Sequence, residues 1–168
     1  MKKISLAKAS SYTSPNPVTV VCTTKADGTP NLATVSWWTY LSYSPNMVAY
    51  AMAKTSYSGE MMRANKKAVI TIPSDKITAA VLGCGMTTGR NTDKPEKFGI
   101  ELTSLDGCDI KIPVHSCLAI ECELKEFLEV GDHYLYICNV KQVYANDGEK
   151  ALFAWGRLCR LACGKGLM

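Results

Sequence analysis

The stretch that decides the fold runs from Thr29 to Glu60 and reads TPNLATVSWWTYLSYSPNMVAYAMAKTSYSGE. Two apolar runs inside it, NLATVSWW and MVAYAMA, are rich in β-branched and aromatic residues and are bounded by Asn, Pro and Ser. Each run therefore predicts a strand. We expect the first strand over Asn31–Tyr40 and the second over Met47–Ala53, with a turn at 44–46 between them.

The second predicted strand ends in a polar segment, Lys54-Thr55-Ser56-Tyr57-Ser58, directly before a helical pattern near residues 56–66. A helix N-terminus presents unpaired backbone N–H groups and the positive end of the helix dipole. With one lysine and three hydroxyls beside it, the segment suits a phosphate group. The same residues also suit a capped helix with a solvated lysine, because Ser and Thr are ordinary N-caps.

Outside this stretch the pattern is again mostly that of strands and turns. Alternating apolar residues and turn signals predict a hairpin through Asp27-Gly28 and a second hairpin through 130–132. The predicted strands cover Val18–Lys25, 68–72, Cys117–Lys125 and His133–Tyr144.

A second helix is expected after Ser74 or Asp75, because apolar residues at 77, 80, 81 and 84 share one helical face. Gly83 and Gly85 are expected to end it. The chain from Met86 to Asp109 reads as a long loop with a short helix near 95–98, and long ordered loops tend to be functional.

Composition places the 168 residues in one globular domain, 1–168, and excludes several classes of protein. The net charge of +4 comes from scattered Lys and Arg, with no basic run longer than two, so no nucleic-acid partner is expected. No membrane span or signal peptide is apparent. The eight cysteines contain no C-x-x-C pair, which predicts free thiols in a reducing cytoplasm rather than a zinc site.

Catalytic motifs are also missing. The chain has no G-x-S-x-G and no G-x-G-x-x-G, since the glycines from Gly83 to Gly89 are spaced one residue too far apart. We interpret His115 and His133 as ordinary polar residues, and we nominate no acid, base or nucleophile. A redox cofactor needs less from the protein, because the cofactor carries the chemistry. A flavin mononucleotide (FMN) needs a phosphate cradle, backbone groups and apolar walls, which the two strands of the opening stretch can supply.

Several motifs, in order along nearly the whole chain, resemble those of the flavin reductase-like family that includes flavoredoxin. They are P-x-P-V-x-V-V-x-T-T from Pro15, D-G-x-P-N-x-A-T-V-S-W from Asp27, K-T-S-Y-S from Lys54, C-G-M-x-x-G-R-x-x-D-K from Cys84 and G-D-H-x-L from Gly131. The resemblance implies an all-β, antiparallel Greek-key split barrel that binds FMN, with helices outside and a homodimeric assembly. The implied flavin contacts are Thr34, Val35, Ser36 and Trp37, then Ala53, Lys54, Thr55, Ser56, Tyr57 and Ser58, and finally Lys94.

The expected function is that of an oxidoreductase that passes electrons or hydride through bound FMN, with NAD(P)H or a redox protein as donor. An alternative is a flavoredoxin-type electron-transfer module with no NAD(P)H activity of its own. A third possibility is a cysteine-based metal or redox protein. We expect no metal at the flavin site, and no family feature corresponds to Cys159 or Cys163 in the C-terminal tail.

Overall fold

The computed structural model describes residues 16–154 and 161–163, and strands make up most of them. The strands are β1 Asn16–Pro17, β2 Thr19–Thr24, β3 Pro30–Val35, β4 Trp38–Tyr43, β5 Asn46–Ala53, β6 Lys67–Pro73, β7 Leu102–Ser104, β8 Lys111–Pro113, β9 Ser116–Val130, β10 His133–Ala145, β11 Leu152–Ala154 and β12 Leu161–Cys163. The helices are α1 Tyr57–Asn65, α2 Thr78–Met86, α3 Lys94–Phe98 and a short 3-10 helix, Asp75–Ile77. The prediction of an all-β protein with a few helices is confirmed.

Seven of the strands form one antiparallel sheet, in the order β3-β2-β6-β9-β10-β5-β4. β3 and β4 lie at opposite ends of this order, yet they follow each other in the chain with only Ser36 and Trp37 between them. The sheet therefore curls until its two ends meet at this dipeptide. The result is a barrel that is split between β3 and β4.

The predicted strand Asn31–Tyr40 is thus two strands, and this prediction is corrected. β3 pairs with β2, whereas β4 pairs with β5, so the chain changes partners at Ser36–Trp37. The predicted hairpins through Asp27-Gly28 and through Gly131 are both present. Gly28 and Gly131 have φ values of +84° and +59°, a backbone conformation that glycine adopts without strain.

Two apolar clusters explain the burial of the sheet. One cluster fills the barrel interior, and its largest members are Tyr50, Tyr136, Met62 and Ile70. The other lies between the outer face of the sheet and α2, and it includes Leu32, Val81 and Ile110. β2 and β6 are buried on both faces because they lie between these two clusters.

α2 has the predicted buried residues Ala80, Val81 and Cys84, but it does not end at its glycines. It continues to Met86, and the glycines permit close packing instead. A Cβ at Gly83 would overlap the ring of Phe98, and a Cβ at Gly85 would lie 3.2 Å from the Cβ of Thr34.

β9 continues past Glu123, where its pairing with β6 ends, and reaches Val130 rather than the predicted Lys125. Residues 125–130 are exposed because β9 is an edge strand there, paired only with β10, which is itself paired with β5 on its other side. Alternation of apolar and polar residues therefore fails to mark this half of the strand. Among the described residues, no helix is long and apolar enough to cross a membrane.

Candidate functional site

The polar segment before α1 is the first part of the site. Ser56 is the N-cap of α1, and its Oγ accepts a hydrogen bond from the backbone N–H of Gly59 at 3.3 Å. Thr55 is exposed, whereas Lys54 and Tyr57 are half-buried. The first-turn N–H groups of a helix have no partner within it, so this end of α1 presents donors and positive potential next to a lysine and hydroxyls. The arrangement fits a phosphate group.

Lys54 forms an ion pair with Glu129 of β9, and its Nζ lies 5.8 Å from the centroid of the Tyr134 ring. Its backbone N–H donates to the carbonyl of Asp132 at 3.0 Å. The Lys54 and Glu129 side chains are 33% and 66% exposed, so water competes for both charges. The ammonium group is therefore held near the N-terminus of α1 by a weak pair that an anionic ligand can replace.

The second part of the site is the junction between β3 and β4. Val35 is buried in the barrel interior, Ser36 is half-buried, and Trp37 is 60% exposed. The Trp37 carbonyl accepts a hydrogen bond from the N–H of Ala51 at 2.9 Å. Trp38 points elsewhere, and its Nε1 donates to the Pro17 carbonyl at 3.0 Å. Trp38 is half-buried against the barrel cluster, so Trp37 is the more exposed of the two tryptophans.

His133 joins the two parts. Its ring lies 4.9 Å from the Trp37 ring, and it is the register partner of Ala53 on β5. Its Nδ1 lies 2.7 Å from Oδ1 of Asp132, and this contact lowers the pKa of the Asp132 carboxyl. The sequence pattern predicts no role for His133 beyond that of an ordinary polar residue. The G-D-H-x-L motif was the available signal, but register with Ala53 and contact with Trp37 depend on the folded sheet.

Thr34 and Ser58 use their hydroxyls inside the protein. The Thr34 hydroxyl donates to the Val81 carbonyl of α2. Ser58 is only 3% exposed, and its Oγ accepts a hydrogen bond from Nδ2 of Asn31 at 2.7 Å. These two residues can offer a ligand their backbone, while their side chains hold β3, α1 and α2 together.

Lys94 is the most deeply buried of the cations predicted to contact the flavin. It is 3% exposed, and its Nζ donates to the carbonyls of Leu32 at 2.6 Å and Cys84 at 2.9 Å. Burial lowers the pKa of its ammonium group. Lys94 therefore connects α3, α2 and β3, and its expected position at the flavin edge or phosphate stays a prediction.

Arg90 is a cation near α1 that was not among the predicted contacts. Its guanidinium carbon lies 4.7 Å from the centroid of the Tyr57 ring, and its side chain pairs with Glu60. The neighbouring Gly89 packs against Asn31, so this loop is fixed beside the first turn of α1. The long loop thus places Arg90 beside the first turn of α1.

The cysteines offer little redox or metal chemistry. All six cysteines whose side chains are described are free thiols. Burial raises the pKa of Cys84 to about 11 and raises that of Cys22 further, so both stay protonated and unreactive at neutral pH. In the part of the chain that the structure describes, no group of three or more His, Cys, Asp or Glu side chains could hold a metal ion. Cys159 lies outside the described residues.

Comparison with known proteins identifies the fold. The model of the family described as "Flavin reductase like domain" matches residues 11–162 of this chain. Flavoredoxin of Desulfovibrio vulgaris has a TM-score of 0.83 at 20% identity, covering 100% of this chain and 96% of its own. A split-barrel domain from Shewanella frigidimarina has a TM-score of 0.85 at 15% identity, covering 96% and 88%.

The NADH:FAD oxidoreductase of Streptomyces globisporus C-1027 has a TM-score of 0.82 at 15% identity, covering 96% of both chains. At these identities the likeness shows the fold alone. The chain also matches three archaeal proteins, and the matches cover 68%, 63% and 50% of the lengths of those proteins.

Proposed function

The chain belongs to the flavin reductase-like family, and from this premise we propose that it binds FMN and passes electrons or hydride through it. The observation that carries the proposal is the meeting of two segments. The phosphate-suited start of α1 and the exposed Trp37 are joined by His133, which contacts the Trp37 ring and pairs with Ala53. A phosphate and a flat ring system of one ligand can therefore be held side by side.

Lys54, Thr55, Ser56 and the first N–H groups of α1 would hold the phosphate. Backbone groups from Val35 to Trp37, with Ala53, would border the flavin ring. When bound, the flavin supplies the hydride or one-electron chemistry. The residues of this chain bind and orient it, and the Trp37 ring limits access of water to one side of the junction.

The phosphate contact is tested by comparing FMN with riboflavin, which lacks the phosphate. Removing both Lys54 and Ser56 (Lys54→Met with Ser56→Ala) should weaken FMN binding by about 3 kcal/mol, on the order of two charge-assisted hydrogen bonds. Riboflavin binding should change little. Lys141→Met is a matched control, because Lys141 also forms an exposed ion pair, with Glu123. Equal losses for both ligands would mean that the segment is only a helix cap.

The electron donor is proposed to be NAD(P)H, which can approach the flavin directly without a dinucleotide-binding fold of its own. The alternative is a flavoredoxin-type module that exchanges electrons only with a protein partner. Anaerobic addition of NADH or NADPH to the FMN-loaded protein distinguishes them. Bleaching of the flavin absorbance supports the reductase, whereas bleaching only after a redox partner is added supports the module.

We also propose a homodimer. β4 is a strand at the end of the sheet order, and it exposes Tyr40, Leu41 and Tyr43, the last of them 85% exposed. With the exposed Trp37 before it, this edge presents unpaired backbone groups and aromatic surface of the kind that subunit contacts cover. A second copy related by a two-fold axis is the commonest cover. Light scattering of the FMN-loaded protein should give twice the chain mass, and a monomer mass with flavin bound would contradict the proposal.

The cytoplasm is the proposed location. Free thiols at six described cysteines fit a reducing compartment. The partners proposed are the second subunit and a small-molecule or protein electron carrier, with no role for nucleic acid.

A further inference from the structure

Alternating cationic and aromatic side chains run along α1, from a residue before it to the residue after it. The Nζ of Lys54 lies 5.8 Å from the ring centroid of Tyr134, and the guanidinium carbon of Arg63 lies 4.7 Å from the same centroid. Arg63 also lies 5.8 Å from the ring centroid of Phe127, and the Nζ of Lys66 lies 5.9 Å from it. We call these five side chains the cation–aromatic ladder.

The ladder ends in an open groove with a cavity volume of about 290 Å³. Its lining includes Lys66, Lys125 and Phe127, together with Leu124 and Glu126. The Phe127 ring is 39% exposed, so a flat ligand can reach it. Nothing in the proposed FMN site uses this groove.

The position of the groove relates it to the flavin site. Ten residues separate Ser56 from Lys66, a rise of about 15 Å along a helix. The path between them carries cations suited to phosphate groups, and its end carries an aromatic ring suited to stacking with a nucleobase. The Glu126 carboxylate can accept hydrogen bonds from ribose hydroxyls. Phosphate, base and ribose contacts thus follow one another along a single line that begins at Lys54.

We propose that the cation–aromatic ladder and its groove bind the adenosine 5′-phosphate half of a dinucleotide whose other half lies at the flavin site. This inference rests on the proposed function. Two dinucleotides carry this half, namely FAD as the flavin and NADH as the donor.

The test measures the affinities of FAD and FMN by quenching of flavin fluorescence. The variant is Lys66→Asn with Phe127→Thr. Asn suits the left-handed backbone of Lys66, where φ is 61°, and Thr suits a strand. FAD binding should weaken about tenfold, equivalent to one stacked base, while FMN binding stays within about twofold. Lys97→Asn is the matched control, because the Nζ of Lys97 lies 5.6 Å from the ring centroid of Phe98 elsewhere in the molecule.

A second measurement needs no variant. AMP added to the wild-type protein should compete with FAD but not with FMN if the groove serves the flavin. If it serves the donor, the same double variant should raise the KM for NADH about tenfold with kcat unchanged, and FAD affinity should not move. The inference would be overturned if the protein bound FMN but the double variant left both the FAD affinity and the KM for NADH unchanged and AMP did not compete with FAD. The proposed function would then still stand. Failure to bind either flavin would overturn both.

Discussion

Two regions of the molecule each carry a lysine, but at opposite degrees of burial. They are the start of α1 and the block formed by β3, α2 and α3. At the start of α1, Lys54 is 33% exposed and paired with an exposed carboxylate. In the block, Lys94 is 3% exposed and bonded to two backbone carbonyls. Ser58 is an exception at the start of α1, because it is buried and bonded to Asn31 of β3.

The two lysines differ in the partners that their ammonium groups can exchange. A cation that keeps part of its hydration can exchange a carboxylate for a phosphate at little cost, because exposed ion pairs contribute only about 0–1 kcal/mol. A buried cation whose hydrogen bonds satisfy backbone carbonyls cannot leave them without exposing those carbonyls to an apolar interior. We therefore assign ligand binding to the start of α1 and structural support to the block, and the predictions below test that division.

The largest effect is expected for Lys94→Met. The substitution leaves the carbonyls of Leu32 and Cys84 without a donor, which should lower the free energy of unfolding by about 3 kcal/mol. For a chain of this length the midpoint of thermal unfolding should fall on the order of 6–12 °C. Lys141→Met, at an exposed position, should change stability by less than about 0.5 kcal/mol. If Lys94→Met were as stable as the wild type but had lost its preference for FMN over riboflavin, Lys94 would be a ligand-binding residue.

A smaller loss is expected for Gly89→Ala. The new Cβ would overlap Oδ1 of Asn31, whose Nδ2 is bonded to Thr23 and Ser58, so neither the side chain nor the loop can move freely. Overpacking of this kind costs about 2 kcal/mol. The control is Gly148→Ala, where the nearest atom lies at 3.4 Å. Urea unfolding should show a lower midpoint for the first variant only, and equal midpoints would mean that the loop is not fixed by Asn31.

Local signals predicted the strands and turns, whereas the split barrel was implied by the family resemblance. Alternation, turn residues and the Ser56 cap follow from neighbouring residues, and the structure confirms most of the predicted strands, the two hairpins and α1. The break at Ser36–Trp37 carried no local signal. Its cause is the closure of the barrel, which gives one apolar run two different strand partners.

Local rules account for the positions of some residues predicted for the candidate site and not for others. The segment 54–57 lies at a helix start, where local rules apply. Lys94 and Ser58 also matched a motif, but burial by α2 and β3 decides their partners. Arg90 and His133 were overlooked because their relation to Tyr57 and Trp37 arises from contacts between distant parts of the chain.

The contribution of the buried Lys94 to stability should depend on pH. Burial holds the pKa of Lys94 below its ordinary value of 10.5, with the nearby charge of Lys25 acting in the same direction. Between the lowered value and 10.5, the unfolded chain keeps a proton that the folded chain releases, so stability rises with pH in this window. The stability gap between wild type and Lys94→Met should widen from pH 7 to pH 10, by at most about 1.4 kcal/mol per pH unit. A gap that stays constant would mean that Lys94 has the same pKa in both states.

The smallest expected effect concerns Glu129→Gln, which removes the carboxylate paired with Lys54. Stability should change by less than about 1 kcal/mol, because the pair is exposed. The freed ammonium group should attract phosphate more strongly, so FMN should bind about two- to fivefold more tightly at low salt, equivalent to the same energy. The gain should fall at high salt, where exposed charges are screened.

Glu123→Gln is the matched control for this substitution, because it breaks the exposed pair with Lys141 beside the C-terminal end of α1 rather than its start. It should leave FMN affinity unchanged at every salt concentration. Weaker FMN binding in Glu129→Gln would instead show that Glu129 holds Lys54 in its binding position. In that case the carboxylate would belong to the site as a positioning residue, and exposure alone would no longer separate ligand binding from structural support.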